Sequence, residues 1–318
     1  MNLRTSARAA LLLAATTLAT PAFAASSAAD INGADPLSSN EMPATLRLEV
    51  LLDRAGASVG AIDGKMDAVT EAAIAAFETM QGMDSDGKLD EATWKALQDG
   101  KDAVGTYEIT VEDVGFELTP ETPESYADMA KMEKLGFHRY SEALAEKFHM
   151  DEDLLKALNP DADFSKAGTS ILVAEPGGRS VAAVERIEVD KANGRLRGYS
   201  GDKLVFAAPA TVGSEENPSP EGSMKVTAIA PNPNYTFNPE NIEGSTTKEA
   251  VIVPPGANGP VGTMWIDLGK PTYGIHGTPY PSQVQSMQSN GCVRLTNWDA
   301  EALAEAVKPN ETMVEFVQ

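Results

Sequence analysis

The chain has 318 residues, a formal net charge of −22 from 47 acidic against 25 basic side chains, and a single cysteine. That acidity argues against a nucleic-acid partner, because phosphate binding needs a basic surface, and it fits a solvated surface that keeps the protein soluble. One cysteine excludes an internal disulfide, so stability has to come from packing, and the length allows two or three domains.

Residues 1–24, "MNLRTSARAALLLAATTLATPAFA", place Arg4 and Arg8 ahead of an apolar run and end on Ala22, Phe23 and Ala24. This is the layout of a cleaved secretory signal peptide. The apolar run is too short for a membrane span, which needs about 20 residues, and no later segment is apolar enough to supply one. An exported, periplasmic protein is expected. Residues 25–43 are small and polar and predict a disordered arm.

Over residues 44–100 the apolar positions repeat with helical spacing in three pieces: Leu48, Leu51 and Leu52; Val69, Ala72, Ala73, Ala76 and Phe77; Leu89, Trp94 and Leu97. Glycine-rich turns separate them, and Asp90 is a candidate N-cap for the third. The pattern predicts a small three-helix module. Its order of a leucine helix, "IDG", a helix ending in Phe77, then "QGMDSDGKLDEATW", resembles the peptidoglycan-binding type 1 domain. The stretch "DSDG" lacks the terminal glutamate and flanking helices of a calcium loop, so no metal is expected there.

Residues 101–139 are acidic and turn-rich and predict a linker or irregular connection. Residues 140–178 predict two short amphipathic helices, 141–148 and 151–158, followed by the strand "TSILVA". This α/β middle segment resembles the later part of a LysM glycan-binding module, whose first strand would have to come from upstream, where "YEITVEDV" stands. His138 and His149 have no His or Cys partner at metal-ligand spacing and are expected to be surface or packing side chains.

From residue 183 to 318 the period changes to that of strands, with "KANG" and "SGDK" as hairpin turns and one helix from Asn297 to Val307. This domain is expected to be mainly β and sandwich-like, making the whole chain a multidomain α+β protein. It holds Cys292 in "SNGCVRL" and, sixteen residues upstream, His276 in "YGIHGTPYP". An odd thiol is a buried apolar group, an intermolecular link or a reactive group. A reactive one needs a base, because the free thiol pKa is about 8.5, and imidazole is the natural partner. Arg294 would share a strand face with Cys292, where it could hold a substrate carboxylate or fix the loop by a salt bridge. Tyr235 and Trp265 are candidates for a substrate wall or for core packing.

The run "HGTPYPSQVQSMQSNGCVRL" resembles the active-site motif of the L,D-transpeptidase (YkuD-type) family, and the resemblance extends over residues 183–318. It implies Cys292 as nucleophile, His276 as general base and later acid, and the Gly277 carbonyl as the group that orients the imidazole. It further implies that Ser289, Asn290, Gly291 and Arg294 shape the pocket and oxyanion site. Asn290 stands where the family commonly has histidine, and Gln285 where glycine is frequent; an asparagine amide can still donate a hydrogen bond. The implied partners are peptidoglycan stem peptides and glycan, with an outer-membrane protein as a further candidate acyl acceptor. No metal or organic cofactor is called for.

Overall fold

The computed structural model describes residues 26–178, 181–214, 218–239, 247–286, 289 and 291–317. Residues 1–24, expected to be a signal peptide, and Asn290 lie outside the described residues. The segment expected to be a disordered arm instead contains helix α1 (Ala28–Gly33). Ser27 and Asp30 close a capping box at its start. Ile31 is fully buried, and both ends of the Asn32 amide bond the backbone at residues 103 and 104. A single isoleucine and one asparagine hold the arm down, which composition averaged over the segment does not reveal.

Three helices follow: α2 (Met42–Arg54), α3 (Ala68–Gln81) and α4 (Glu91–Leu97). Asp67 caps α3 and Asp90 caps α4 through backbone amides of the first turn, while Gly82, with φ of 69°, ends α3 in the left-handed conformation. The segment expected to be a linker holds strand β1 (Val104–Glu108) and short helices α5 (Val111–Val114) and α6 (Tyr126–Met129). Helices α7 (Tyr140–Lys147) and α8 (Glu152–Leu158) lead to strand β2 (Ser170–Ala174). β1 pairs antiparallel with β2 from Val104 opposite Ala174 to Glu108 opposite Ser170, so an upstream strand does partner "TSILVA". The strand begins three residues before "YEITVEDV", whose later part is helix α5. The helical module and the middle segment share one core: Leu48, Leu52, Phe77 and Trp94 belong to the same buried cluster as Leu144, Leu155, Ile171 and Val173.

The rest of the chain runs through β3 (Arg186–Asp190), β4 (Arg195–Ser200), β5 (Lys203–Pro209), β6 (Gly222–Lys225), β7 (Ala228–Pro231), β8 (Tyr235–Phe237), β9 (Val251–Val253), β10 (Met264–Asp267), β11 (Gly274–His276), β12 (Val293–Arg294), helix α9 (Asn297–Ala306) and β13 (Met313–Val317). Among the described residues one sheet has the order β5-β4-β3-β13-β6 and another β12-β11-β10-β7, with β8 and β9 paired separately. Ile187, Leu196, Phe206 and Val314 from the first sheet, Ile266, Ile275 and Val293 from the second, and Leu303 from α9 form a second core. Alternation along the strands sends these side chains inward.

The two cores meet along a polar seam. The Ser58 amide donates to the Ala207 carbonyl at 2.8 Å and the Ala207 amide to the Gly56 carbonyl at 2.9 Å, so a turn of the helical module extends the edge of β5. Ser58 Oγ donates to Asp299 Oδ2 at 2.8 Å. The His149 ring stacks on Trp298 at 5.1 Å and 6°, and its Nδ1 bonds Asp53 Oδ2 at 2.8 Å. His149 is thus a partly buried packing residue of the seam, the second of the two roles expected for it. Thr296 is the N-cap of α9, its hydroxyl accepting from the Asp299 amide. Asn297 is released to bridge the seam, its Nδ2 donating to Glu146 at 3.0 and 3.1 Å and to the Ala257 carbonyl at 3.3 Å.

Candidate active site

β11 lies between β10, its antiparallel neighbour, and β12, which runs parallel to it. The parallel register sets Ile275 opposite Val293 and His276 opposite Arg294. Cys292 immediately precedes β12, so two neighbouring strands deliver the thiol and the imidazole to one end of the sheet despite the sequence between them. Across β10 the opposite register position to His276 is Trp265, whose indole stacks on the imidazole at 5.5 Å and 17°.

His276 is buried, and its Nδ1 lies 2.7 Å from the Gly277 carbonyl oxygen. A carbonyl only accepts, so Nδ1 carries the hydrogen and Nε2 is left as the basic nitrogen of the neutral ring. Burial, with the nearby Arg294 charge, pushes His276 down to about 3. The ring is therefore neutral at neutral pH and competent to accept a proton.

Cys292 keeps an exposed edge, and Sγ donates to the Thr272 carbonyl at 3.2 Å. Burial pushes the thiol above its free value, against the opposing pull of the Gly274 backbone and Arg294. The resting pair is thus thiol and neutral imidazole, not an ion pair.

The turn before Cys292 is clamped from two sides. Ser289 Oγ donates to the Cys292 carbonyl at 2.5 Å and accepts from the Gly291 amide at 3.2 Å. The Ser289 amide donates to the Val212 carbonyl, and the Arg294 amide and carbonyl pair with Thr211. Ser219 Oγ donates to the Gly291 carbonyl at 2.9 Å while accepting from the Gly213 amide at 2.8 Å. Gly291 has φ of +106°, and a Cβ there would stand 2.7 Å from the Tyr273 ring, so only glycine fits. Ser289 and Gly291 therefore shape the turn, and the Gly291 amide is directed to Ser289 rather than into the cleft. Gln285, at the other departure from the motif, donates from Nε2 to the Gly194 carbonyl at 3.1 Å.

A cleft of about 850 Å³ opens over these groups, lined by Cys292, His276, Arg294, Trp265, Tyr235 and Tyr126 among others. The structure gathers all of the expected side chains except Asn290, which lies outside the described residues. Three participants were not anticipated. Ser219 sits in the "NPSPEG" turn as one more turn serine. Tyr126 comes from the supposed linker, where nothing but its being aromatic marks it. Asn297 has the side chain of an N-cap at a place where an N-cap is needed, and its threonine neighbour takes that role.

Asn297 also supports the base. Its Oδ1 accepts from the Thr263 amide at 3.2 Å. A Cβ on Gly277 would come within 2.1 Å of the same oxygen, so the His276 loop and the asparagine amide are in direct contact. Glu146 of α7 holds the other end of that amide, and burial pushes its carboxyl up to about 8. Among the described residues, no group of three or more His, Cys, Asp or Glu side chains could hold a metal ion, and no helix is long and apolar enough to cross a membrane.

The family model for the L,D-transpeptidase catalytic domain (YkuD) matches residues 184–315, and the model for a peptidoglycan binding domain matches residues 42–97. The L,D-transpeptidase YkuD of Bacillus licheniformis is 32% identical over 176 residues, spanning 54% of this chain and 90% of the relative. The L,D-transpeptidase YkuD of Bacillus subtilis is 46% identical over a shorter stretch of 56 residues, 18% of this chain and 34% of that relative. Among solved structures, the L,D-transpeptidase of Xylanimonas cellulosilytica matches with 15% identity and a TM-score of 0.37, covering 86% of this chain and 92% of that one.

Proposed function

Because the chain belongs to the L,D-transpeptidase family, we propose that it is an exported acyltransferase of the cell wall in which Cys292 forms a thioester with a peptidoglycan stem peptide. The observation that carries this reading is the tautomer of His276: the Gly277 carbonyl occupies Nδ1 and leaves Nε2 as the base in the cleft that Cys292 also lines. In the first step Cys292 Sγ gives its proton to His276 Nε2 and attacks the carbonyl on the L-centre of the diaminoacyl residue of a tetrapeptide stem. The C–N bond breaks, D-alanine leaves with the proton returned from the imidazole, and the thioester remains. An amine of a second stem, or of an envelope protein, then attacks; it loses a proton to His276, and the thiolate leaves and is reprotonated. Charge on the tetrahedral oxygen would be met by the Cys292 amide and by Asn290.

The N-terminal helical module, by its family match, supplies attachment to peptidoglycan, and the β1–α7–α8–β2 unit is a second candidate glycan contact on its LysM-like order of elements. Export to the periplasm follows from the composition of residues 1–24.

The test is to incubate the mature protein with purified disaccharide-tetrapeptide and to follow products by mass spectrometry beside Cys292→Ala. Cross-linked dimers with loss of D-alanine, absent in the variant, are expected. Free tripeptide alone would make the protein a hydrolase on the same thioester, and untouched substrate from folded protein would refute the acyl-transfer reading.

A further inference from the structure

The residues between β1 and α7 cross the face of the domain that carries the cleft, and they are fastened at two places. At one, Leu135 donates its amide to the Pro255 carbonyl at 2.9 Å and accepts from the Asn258 amide at 2.8 Å. The approach is so close that a Cβ on Gly256 would meet the Leu135 carbonyl at 2.0 Å. At the other, the Ala127 amide donates to Thr247 Oγ1 at 3.3 Å, and Ser125 Oγ lies 3.5 Å from the same atom. Within the second fastening Tyr126 stacks on Phe237 at 4.3 Å and 19°, and its ring centroid is 5.6 Å from that of Tyr235.

Both tyrosine rings line the cleft together with Arg294 and Cys292. A phenol donates one hydrogen, so each of the two hydroxyls has one to offer a ligand. In a protein of net charge −22, a cleft wall made of a guanidinium and a phenol pair is a local preference for an anion.

We propose that Tyr126 is a substrate-binding residue that, paired with Tyr235 and beside Arg294, holds the free carboxylate of the acyl-donor peptide against the thiol. The assignment rests on the reading of Cys292 as the group that takes the acyl chain from a stem peptide. It makes the segment ahead of the catalytic domain part of the substrate site, contributed from more than fifty residues upstream of that domain.

The experiment measures binding apart from turnover. In the full mature chain carrying Cys292→Ala, titration calorimetry compares disaccharide-tetrapeptide bearing its free terminal carboxylate with the same compound ending in a primary amide, with and without Tyr126→Phe. Losing a hydrogen bond to a charged group should weaken the free acid by about tenfold and leave the amide unchanged. Tyr126→Ala removes the stacking as well and should weaken both. Equal affinity of the Phe variant and its parent for the free acid overturns the proposal, as does a parent that binds neither compound. Failure of the transfer reading shows elsewhere, as absence of D-alanine release from the chain that retains Cys292, and the binding comparison still decides the role of Tyr126.

Discussion

Replacing Glu146 by glutamine should stabilise the protein at neutral pH and do little in acid. Glu146 keeps part of its surface exposed, but its carboxyl lies against buried Asn297, and burial raises it from 4.5 in the free chain to about 8 in the fold. A carboxyl raised in this way contributes its full stability below 4.5 and loses it as the pH climbs towards 8. At about 1.4 kcal/mol per pH unit, holding the proton from 4.5 to pH 7 costs at most about 3 kcal/mol, and less where solvent reaches the exposed edge. Glutamine offers an acceptor to Asn297 and does not titrate. Urea unfolding followed by tryptophan fluorescence should therefore show the variant more stable by about 2 to 3 kcal/mol at pH 7 and within about 1 kcal/mol at pH 4.5. His276 and His149, pushed down to about 3 and about 4, act in the opposite sense, costing stability as pH falls below 6.5. They are present in both proteins and largely cancel in the difference. The reasoning is refuted if the difference is the same at both pH values, because the carboxyl would then be ionised throughout.

The neutral state of the resting pair predicts that alkylation of Cys292 by iodoacetamide rises with pH between 7 and 9, since a thiol above its free value has below about 3% thiolate at pH 7; a rate that stays flat down to pH 5 would indicate an ion pair instead. His276→Gln should lower D-alanine release by about 10²- to 10⁴-fold, measured under single-turnover conditions, while alkylation at pH 9 persists. Gly277→Ala, which drives a methyl group into Asn297, should cost about 2 kcal/mol or more in urea unfolding and also depress turnover; unchanged stability would show that the loop yields without cost.

The helices were legible because their apolar residues repeat at 3.6 and their ends carry Asp67, Asp90 and Gly82, which are local signals. Cys292 and His276 were legible because the letters around them form a motif of fixed spacing. What the sequence hides is set by long-range pairing. Nothing near Val104 announces that its partner is Ala174, seventy residues away, so the upstream strand expected at "YEITVEDV" begins three residues before it. Ile31 resembles any isolated apolar residue in a polar stretch until its burial is known. Glu146 and Asn297 look like ordinary helix-surface and helix-start residues, and only their meeting across the seam gives them a task. Ser289 and Gly291 lie beside Cys292, and their bonds to each other and to Cys292 show that they form its frame.

The turn at Gly56 to Ser58 adds to the sheet edge at β5, and Leu204 and Ala207 of that strand lie in the core of the helical module. The attachment module is thereby fixed to the catalytic sheet rather than hung from a tether. On the proposed function, an enzyme built this way would work as a caliper: with the first module gripping a strand of the wall, the distance and angle from that grip to Cys292 would be set, and the stems within reach would be those at one offset along the glycan. The spacing of the bonds it makes would then be written into the seam between two domains rather than into the cleft.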